Sequence, residues 1–243
     1  MIRKFLDILY PRFCFVCKKS LQSSQNQYLC FSCWKKMPLI RHSICHRCGM
    51  PMGAGIDSCT ICPGCRKEKF AFAQARCGGE YTDSLRDMLL SFKFHGVTPL
   101  RFPLSALIFW QIRRVPFPQN PDILVPVPMN YSSQVQRGYN QAALLCENLS
   151  QRMKIPCFSH LLLKNKKTKP QADLQRSERE KNLVSCFEVK KNYYVKKLQG
   201  KIVLLVDDIL TTGNTASECS KVLLQNGAKK VYVATVAKTL TLP

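Results

Sequence analysis

The chain has 243 residues, 46% hydrophobic and 21% charged, with 37 lysines and arginines against 15 acids and a formal net charge of +22. So apolar a composition excludes a disordered chain, and at ~100–200 residues per domain it allows one large domain or two modest ones. The charge points to a polyanion: nucleic acid, an anionic membrane surface or phosphorylated metabolites. No apolar run reaches the ~20 residues that span a bilayer. In the opening stretch Met1 to Tyr10, positive charge precedes apolar residues, but Asp7 interrupts them and no small-residue cleavage site follows. Neither export nor membrane insertion is therefore expected.

Of 14 cysteines, ten lie in the first 77 residues, most in C-x-x-C pairs: Cys14 with Cys17, Cys30 with Cys33, Cys45 with Cys48, and Cys62 with Cys65. Two residues between thiolates let a tight turn aim both sulfurs at one ion, and two such turns complete a tetrahedral shell. Taken in order, Cys14, Cys17, Cys30 and Cys33 form one set, and Cys45, Cys48, Cys62 and Cys65 a second. Zinc is the expected occupant of both. An iron–sulfur cluster accepts the same donors, and a disulfide framework suits secreted chains. Cys59 competes with Cys62 for the second site, although Pro63-Gly64 favours the later turn. His42 and His46 are substitute ligands. Closed four-thiolate sites leave no open position, so these metals are expected to be structural, standing in for a core that so short a segment cannot build. Cys146, Cys157, Cys186 and Cys219 read as small buried hydrophobes.

Residues 1–78 carry 13 basic and 3 acidic side chains, interleaved with Phe13, Phe15, Tyr28, Phe31, Trp34, Phe70 and Phe72. Cations tracking a backbone beside aromatics offered to bases suit single-stranded nucleic acid. The plainer alternative has the aromatics covering the metal knuckles while the lysines face water.

From about Arg76 strand and helix signals alternate. Ala75 to Tyr81 reads as a strand and Asp83 to Leu90 as the start of an amphipathic helix. Asp122 to Pro128 is a strand with its prolines near the end. A helix follows with Ala142, Leu145, Leu149 and Met153 on one face. After the apolar run Phe158 to Leu163 comes a basic, hydrophilic stretch from Lys164 to Gln171, then a short strand at Ser185 to Val189. Ile202 to Val206 reads as a buried strand that delivers Asp207 and Asp208 to the carboxyl edge of a sheet, where open α/β folds bind ligands. Thr211-Thr212-Gly213-Asn214-Thr215 then turns into a helix running to about Asn226 and closed by Gly227. The expected fold is α/β, a mostly parallel sheet preceded by a small metal-ribbon module, divided as 1–75 and 76–243.

The acid pair, the hydroxyl-rich turn and the helix start together suit a ribose 5-phosphate, with carboxylates for the hydroxyls and the turn for the phosphate. The alternative is an ordinary strand–turn–helix capped by Thr211 or Asn214, its aspartates solvated. The order of residues fits neither a Walker loop nor a dinucleotide fingerprint.

Val203 to Thr215 resembles the phosphoribosyl-pyrophosphate signature of type I phosphoribosyltransferases. The whole chain resembles the competence protein F (ComF/ComFC) family, a double zinc ribbon followed by such a domain. Further matches are Cys45-His-Arg-Cys-Gly-Met-Pro51, Phe92-Lys-Phe-His-Gly96, Leu124-Val-Pro-Val-Pro128, Arg137-Gly-Tyr-Asn-Gln141, and Thr168-Lys-Pro-Gln171 with Leu174, Arg179 and Asn182. The resemblance implies a cytoplasmic protein of natural transformation that handles incoming single-stranded DNA, with DNA-uptake proteins as further partners. It implies that Asp207 and Asp208 face the ribose of phosphoribosyl pyrophosphate and that Thr211, Thr212, Gly213, Asn214 and Thr215 hold its 5-phosphate. Pro128, Met129 and Asn130 fall at the pyrophosphate loop, and Lys164, Lys166, Lys167, Lys169, Gln171 and Arg179 in a hood over the ligand. Magnesium is expected to accompany the pyrophosphate. Purine-salvage members carry a general-base aspartate where Thr211 stands, so no catalytic residue is assigned. Three functions compete: a transformation factor that binds DNA, a metabolic phosphoribosyltransferase with a zinc appendage, and a scaffold that docks partners through its ribbons.

Overall fold

The computed structural model describes residues 13–21, 28–53, 55, 57, 59–164, 186–190 and 193–240. Its first part repeats one plan twice. The Cys14–Cys17 turn closes with the Lys18 N–H donating to the Cys14 carbonyl at 2.9 Å, and the Cys45–Cys48 turn with the Gly49 N–H donating to the Cys45 carbonyl at 3.0 Å. The residue after each turn is left-handed, Lys18 at φ +59° and Gly49 at φ +71°. Matching bridges, Phe13 with Ser20 and Ile44 with Pro51, zip the flanks. Each knuckle is answered by a short helix, α1 (Phe31–Lys35) or α2 (Pro63–Lys67), whose N-cap is the third cysteine of its set, Cys30 or Cys62.

The body follows as β1 (Gln74–Glu80), α3 (Asp83–Phe94), α4 (Arg101–Arg114), β2 (Ile123–Pro126), α5 (Tyr131–Arg137), α6 (Gln141–Met153), β3 (Leu162–Lys164), β4 (Phe187–Val189), α7 (Tyr193–Leu198), β5 (Ile202–Leu210), α8 (Asn214–Gln225) and β6 (Lys230–Lys238). Four strands form a sheet in the order β1-β6-β5-β2, every pair parallel. β3 and β4 make a separate antiparallel pair. Strand residues point alternately to opposite faces, and this divides the core in two. Leu204, Val206, Tyr232, Ala234 and Val236 pack with α3, α4 and α6, while Val203, Leu205, Val231 and Val233 pack with Ala216, Cys219 and Leu223 of α8 and with β3 and β4. No helix among the described residues is long and apolar enough to cross a membrane.

Six elements, α1, α2, α4, α5, α7 and β6, have no counterpart in the sequence pattern, and two of them show why. α4 is concealed because buried polar groups interrupt its apolar residues: Ser105 donates to Asn148 of α6, and the equally buried Gln111 accepts from Arg114 Nε at 3.1 Å. α5 buries none of its residues, so it leaves no hydrophobic stripe to read. β5 also runs past Val206 to Leu210, because β6 keeps pairing with it as far as Lys238.

The ribbons are fastened to the sheet through backbone. The Glu80 N–H donates to the Pro38 carbonyl at 2.8 Å and the Ile40 N–H to the Gly78 carbonyl at 3.3 Å. That approach needs glycine: a Cβ on Gly79 would lie 2.6 Å from Leu85 Cδ2 and 2.7 Å from the Pro38 oxygen. Gly79→Ala is therefore expected to lower stability by about 1–3 kcal/mol, the usual cost of overpacking. A urea midpoint equal to that of the unsubstituted protein would contradict this contact.

Candidate metal centres and ligand cleft

The eight cysteines paired by their spacing come together as two sets of four, Cys14, Cys17, Cys30 and Cys33, and Cys45, Cys48, Cys62 and Cys65, with the sulfurs of each set within 4.8 Å of one another. A tetrahedron of ~2.3 Å zinc–sulfur bonds has edges of roughly 3.75 Å; Cys17 and Cys30 stand 3.7 Å apart, and so do Cys48 and Cys62. Backbone N–H groups also aim at the sulfurs, from Cys30 to Cys14 at 3.4 Å and from Cys62 to Cys45 at 3.3 Å. The sulfurs of each set contend for negative charge. Hydrogen bonds with Cys48 and Cys65 push the Cys45 thiol down and the bond with Cys45 pushes Cys48 up, while burial and Cys30 push Cys33 up to about 12. A dication resolves that conflict by accepting four thiolates at once. The donors are all sulfur and the sets are closed, which suits structural zinc. Cys59 is exposed and outside the second set. His46 hydrogen-bonds to Gln74, and His42 is exposed, its carbonyl accepting from Arg114 at 3.1 Å.

Most of the aromatics in this half serve packing. Phe72 is buried and stacked on Phe70 at 4.8 Å, Tyr28 stacks on Phe102 at 5.6 Å, and Phe15 and Trp34 lie against the core. Phe13 and Phe31 are exposed, at 55% and 64%. Of the later cysteines, Cys146, Cys186 and Cys219 are buried as expected, but half-buried Cys157 brings its sulfur to 3.0 Å from that of Cys146.

The cleft opens where β2 stops. The last bond from that side runs from the Val127 N–H to the Val206 carbonyl at 2.9 Å, after which Pro128 leads the chain away. Asp207 to Ile209 thus have β6 on one side and a cleft of about 330 Å³ on the other. Asp207 and Asp208, Thr211 and Thr215, Pro128, Met129 and Asn130, and Lys164 all line it. Gly213 is instead buried as the N-cap of α8 at φ +90°, Thr212 faces Cys62 and Cys65 across a neighbouring cavity, and Asn214 is exposed. No side chain caps α8, so neither Thr211 nor Asn214 plays the capping part. Of the first-turn N–H groups, that of Asn214 donates to Thr212 Oγ1 at 3.5 Å. Lys166, Lys167, Lys169, Gln171 and Arg179 lie outside the described residues.

Two lysines go unread in the sequence. Lys93, near the end of α3, pairs its Nζ with Asp208 Oδ2 at 3.2 Å, and Lys238 Nζ donates to the Thr211 carbonyl at 3.0 Å. Lys93 sits within the Phe92 to Gly96 match, but nothing in one helix says which distant carboxylate it will meet. Arg137 also lines the cleft, its guanidinium 4.8 Å from the Phe94 ring centroid. Asn140 braces the opposite wall, donating to the Val127 carbonyl at 3.1 Å and accepting from the Ala142 N–H at 3.0 Å. Asp207 accepts the Asp208 N–H at 2.8 Å. Burial, and then the neighbouring Asp208 charge, push Asp207 well above the usual carboxylate range.

Residues 5–66 match the family model for a double zinc ribbon domain, and residues 99–241 the model for a phosphoribosyl transferase domain. Competence protein F of Haemophilus influenzae is 30% identical over 230 residues, covering 93% of this chain and 96% of that protein. The chain belongs to the competence protein F family. The DNA utilization protein YhgH of Escherichia coli K12 is 28% identical over 233 residues, covering 95% and 98% of the two chains. Competence protein ComFC of Bacillus subtilis is 27% identical over 209 residues, covering 83% and 80%. As a competence protein F relative, the chain has a phosphoribosyl transferase domain behind two four-cysteine zinc ribbons.

Cys14→Ser and Cys48→Ser are each expected to cost about one zinc ion per chain and to unfold the ribbon concerned, because the metal supplies its folding energy. Elemental analysis returning a full complement of metal in either variant would refute the ligand assignment. For Asp207 the sign follows from its raised pKa: the folded state prefers the protonated carboxyl, so stability falls as pH rises through the acid's range. Asp207→Asn should therefore raise the ligand-free melting midpoint at neutral pH, with the gain shrinking on acidification. An Asp207→Asn midpoint at or below that of the unsubstituted protein at neutral pH would show that the site stores no such strain.

Proposed function

We propose that this competence protein F relative handles single-stranded DNA during natural transformation, in the cytoplasm, and that its cleft binds phosphoribosyl pyrophosphate or a similar sugar phosphate. The observation that carries the second part is the meeting of opposite chemistries in one cleft: two carboxylates, Asp207 and Asp208, and the hydroxyls that bracket a helix start, Thr211 and Thr215. Ribose hydroxyls are donors for Asp207 and Asp208, and a 5-phosphate is an acceptor for the hydroxyls and amides of Thr211 to Thr215. Lys93, Arg137 and Lys164 offer positive charge where a pyrophosphate would lie, beside Pro128, Met129 and Asn130. Magnesium would arrive with the pyrophosphate and the ribose hydroxyls rather than in a protein cage. On this reading residues 1–75 are the ribbon unit and 76–243 the sugar-phosphate unit.

The DNA part is supported by the names of the relatives, by the charge of +22, and by the two exposed rings of the first ribbon. Phe31 lies under Lys35 Nζ at 4.6 Å, with exposed Lys36 adjacent. That pairs a stacking face with phosphate-seeking charge. A labelled oligothymidylate titrated at several salt concentrations tests it. Log affinity should fall linearly with log salt, by about 0.7 per phosphate neutralised. Phe31→Ala should weaken binding by about 1 kcal/mol or more, the usual loss for one stacked base. Salt-insensitive binding, or none, removes the DNA reading.

The intact acid pair with its lysine also favours a second reading, transfer of the phosphoribosyl group to a base. Thr211 supplies no carboxylate for a base proton, so turnover would have to draw on another group. Pyrophosphate release with the common nucleobases, lost in Asp208→Asn, would establish it; ligand binding without release across those bases would leave the cleft a binding site.

A further inference from the structure

Behind the Thr211 to Thr215 turn, on the side away from the cleft, stands a residue of the zinc-ribbon segment. A Cβ placed on Gly213 would lie 3.0 Å and 3.3 Å from Cε1 and Cζ of Phe70. The ring therefore occupies the space a side chain would need, against a glycine whose φ of +90° other residues rarely adopt. The next residue reaches the helix itself: the Ala71 N–H donates to Ser217 Oγ at 3.0 Å, and the Ser217 N–H donates to the Gly213 carbonyl at 2.8 Å. Residues 70 and 71 thus hold both the turn and the first turn of α8.

Phe70 is in turn held by the second ribbon. Its carbonyl accepts from Arg47 Nη2 at 2.7 Å, and Arg47 stands inside the knuckle between Cys45 and Cys48. The Arg47 carbonyl accepts from the Ala75 N–H at 2.7 Å, which fixes the knuckle against β1. The Phe70 ring stacks on buried Phe72, interplanar angle 9°. Metal-ligating knuckle, Arg47, Phe70 and Gly213 form a continuous chain of contacts.

We infer that Phe70 is a positioning residue for the cleft, transmitting the order of the second ribbon to the Thr211 to Thr215 turn, so that metal in that ribbon and sugar phosphate in the cleft favour one another. The inference rests on the sugar-phosphate reading for its ligand, not for the brace itself. A turn with no wall behind it samples other conformations, and ordering it then opposes binding. Because linkage is reciprocal, the factor by which the ribbon's metal tightens the ligand is the factor by which ligand tightens that metal.

The test uses the full chain, loaded with zinc, and phosphoribosyl pyrophosphate with magnesium as probe. Calorimetry should find Phe70→Ala roughly tenfold weaker, within the usual range of such couplings, with both metals retained and Phe70→Leu restoring most of the affinity. In the unsubstituted protein, saturating probe should slow chelator-driven release of one metal and not the other, and Phe70→Ala should erase that difference. Without ligand, hydrogen exchange at residues 213–217 should quicken in Phe70→Ala. Unchanged affinity and unchanged exchange overturn the inference. Should the unsubstituted protein bind no probe, the sugar-phosphate reading fails, and the exchange at 213–217 alone decides whether the brace stands. If Phe70→Ala loses metal or unfolds, Phe70→Leu and Arg47→Gln decide: in Arg47→Gln a lowered affinity or quickened exchange supports the chain of contacts, and neither overturns it.

Discussion

A strand that outruns its neighbour governs the cleft. β2 makes its last bond to β5 from the Val127 N–H to the Val206 carbonyl and Pro128 then leads the chain away, whereas β6 follows β5 to Lys238. The result is a stretch of β5 with backbone paired on one flank only. Carboxylates enclosed between two strands would face a still more severe desolvation cost; at this rim they meet a cleft, and burial still pushes Asp207 up. The same geometry explains how adjacent residues serve one ligand space. Asp207 and Asp208 project to opposite faces as strand neighbours must, yet both line the cleft because it opens at the edge of the sheet and not over a face.

The ribbons are structurally continuous with that sheet. Cys14, Leu21, Leu29 and Met37 of the first ribbon belong to the same buried cluster as Leu85, Met88 and Leu104 of the body. The second keeps a small cluster of its own around Cys45, Cys48, Met50, Cys62 and Cys65, with Phe70 as its link outward. Removing either metal thus does more than loosen an appendage, since a metal-dependent fold forms part of the wall of a metal-independent one.

How much of this was legible depended on how local each feature is. The cysteine sets could be paired from spacing because each knuckle is a single turn, and Pro63 at the start of α2 marks the later pair correctly. The parallel sheet was legible because continuous apolar strands separated by amphipathic helices admit few other solutions. α4 was not, because buried Ser105 and Gln111 interrupt its apolar residues, and Ser105 finds its partner, Asn148, only in the folded chain. Lys93 and Lys238 escaped for the same reason, their oxygens lying 115 and 27 residues away along the chain. The aromatics were legible as a patch but not one by one: whether a ring faces water or a core is a fact of packing, and only Phe13 and Phe31 of those named are large exposed hydrophobics.

Duplicate modules need not be interchangeable. After its second cysteine the first ribbon carries Lys18, left-handed and exposed, its ammonium 4.7 Å from the Phe15 ring centroid. At the corresponding point the second carries Gly49, where a Cβ would come within 2.9 Å of the Ala75 oxygen in β1. A position turned toward solvent can drift, while one wedged against a strand is held to hydrogen. A lysine at 49 would be driven into the sheet, whereas a glycine at 18 would remove a surface charge.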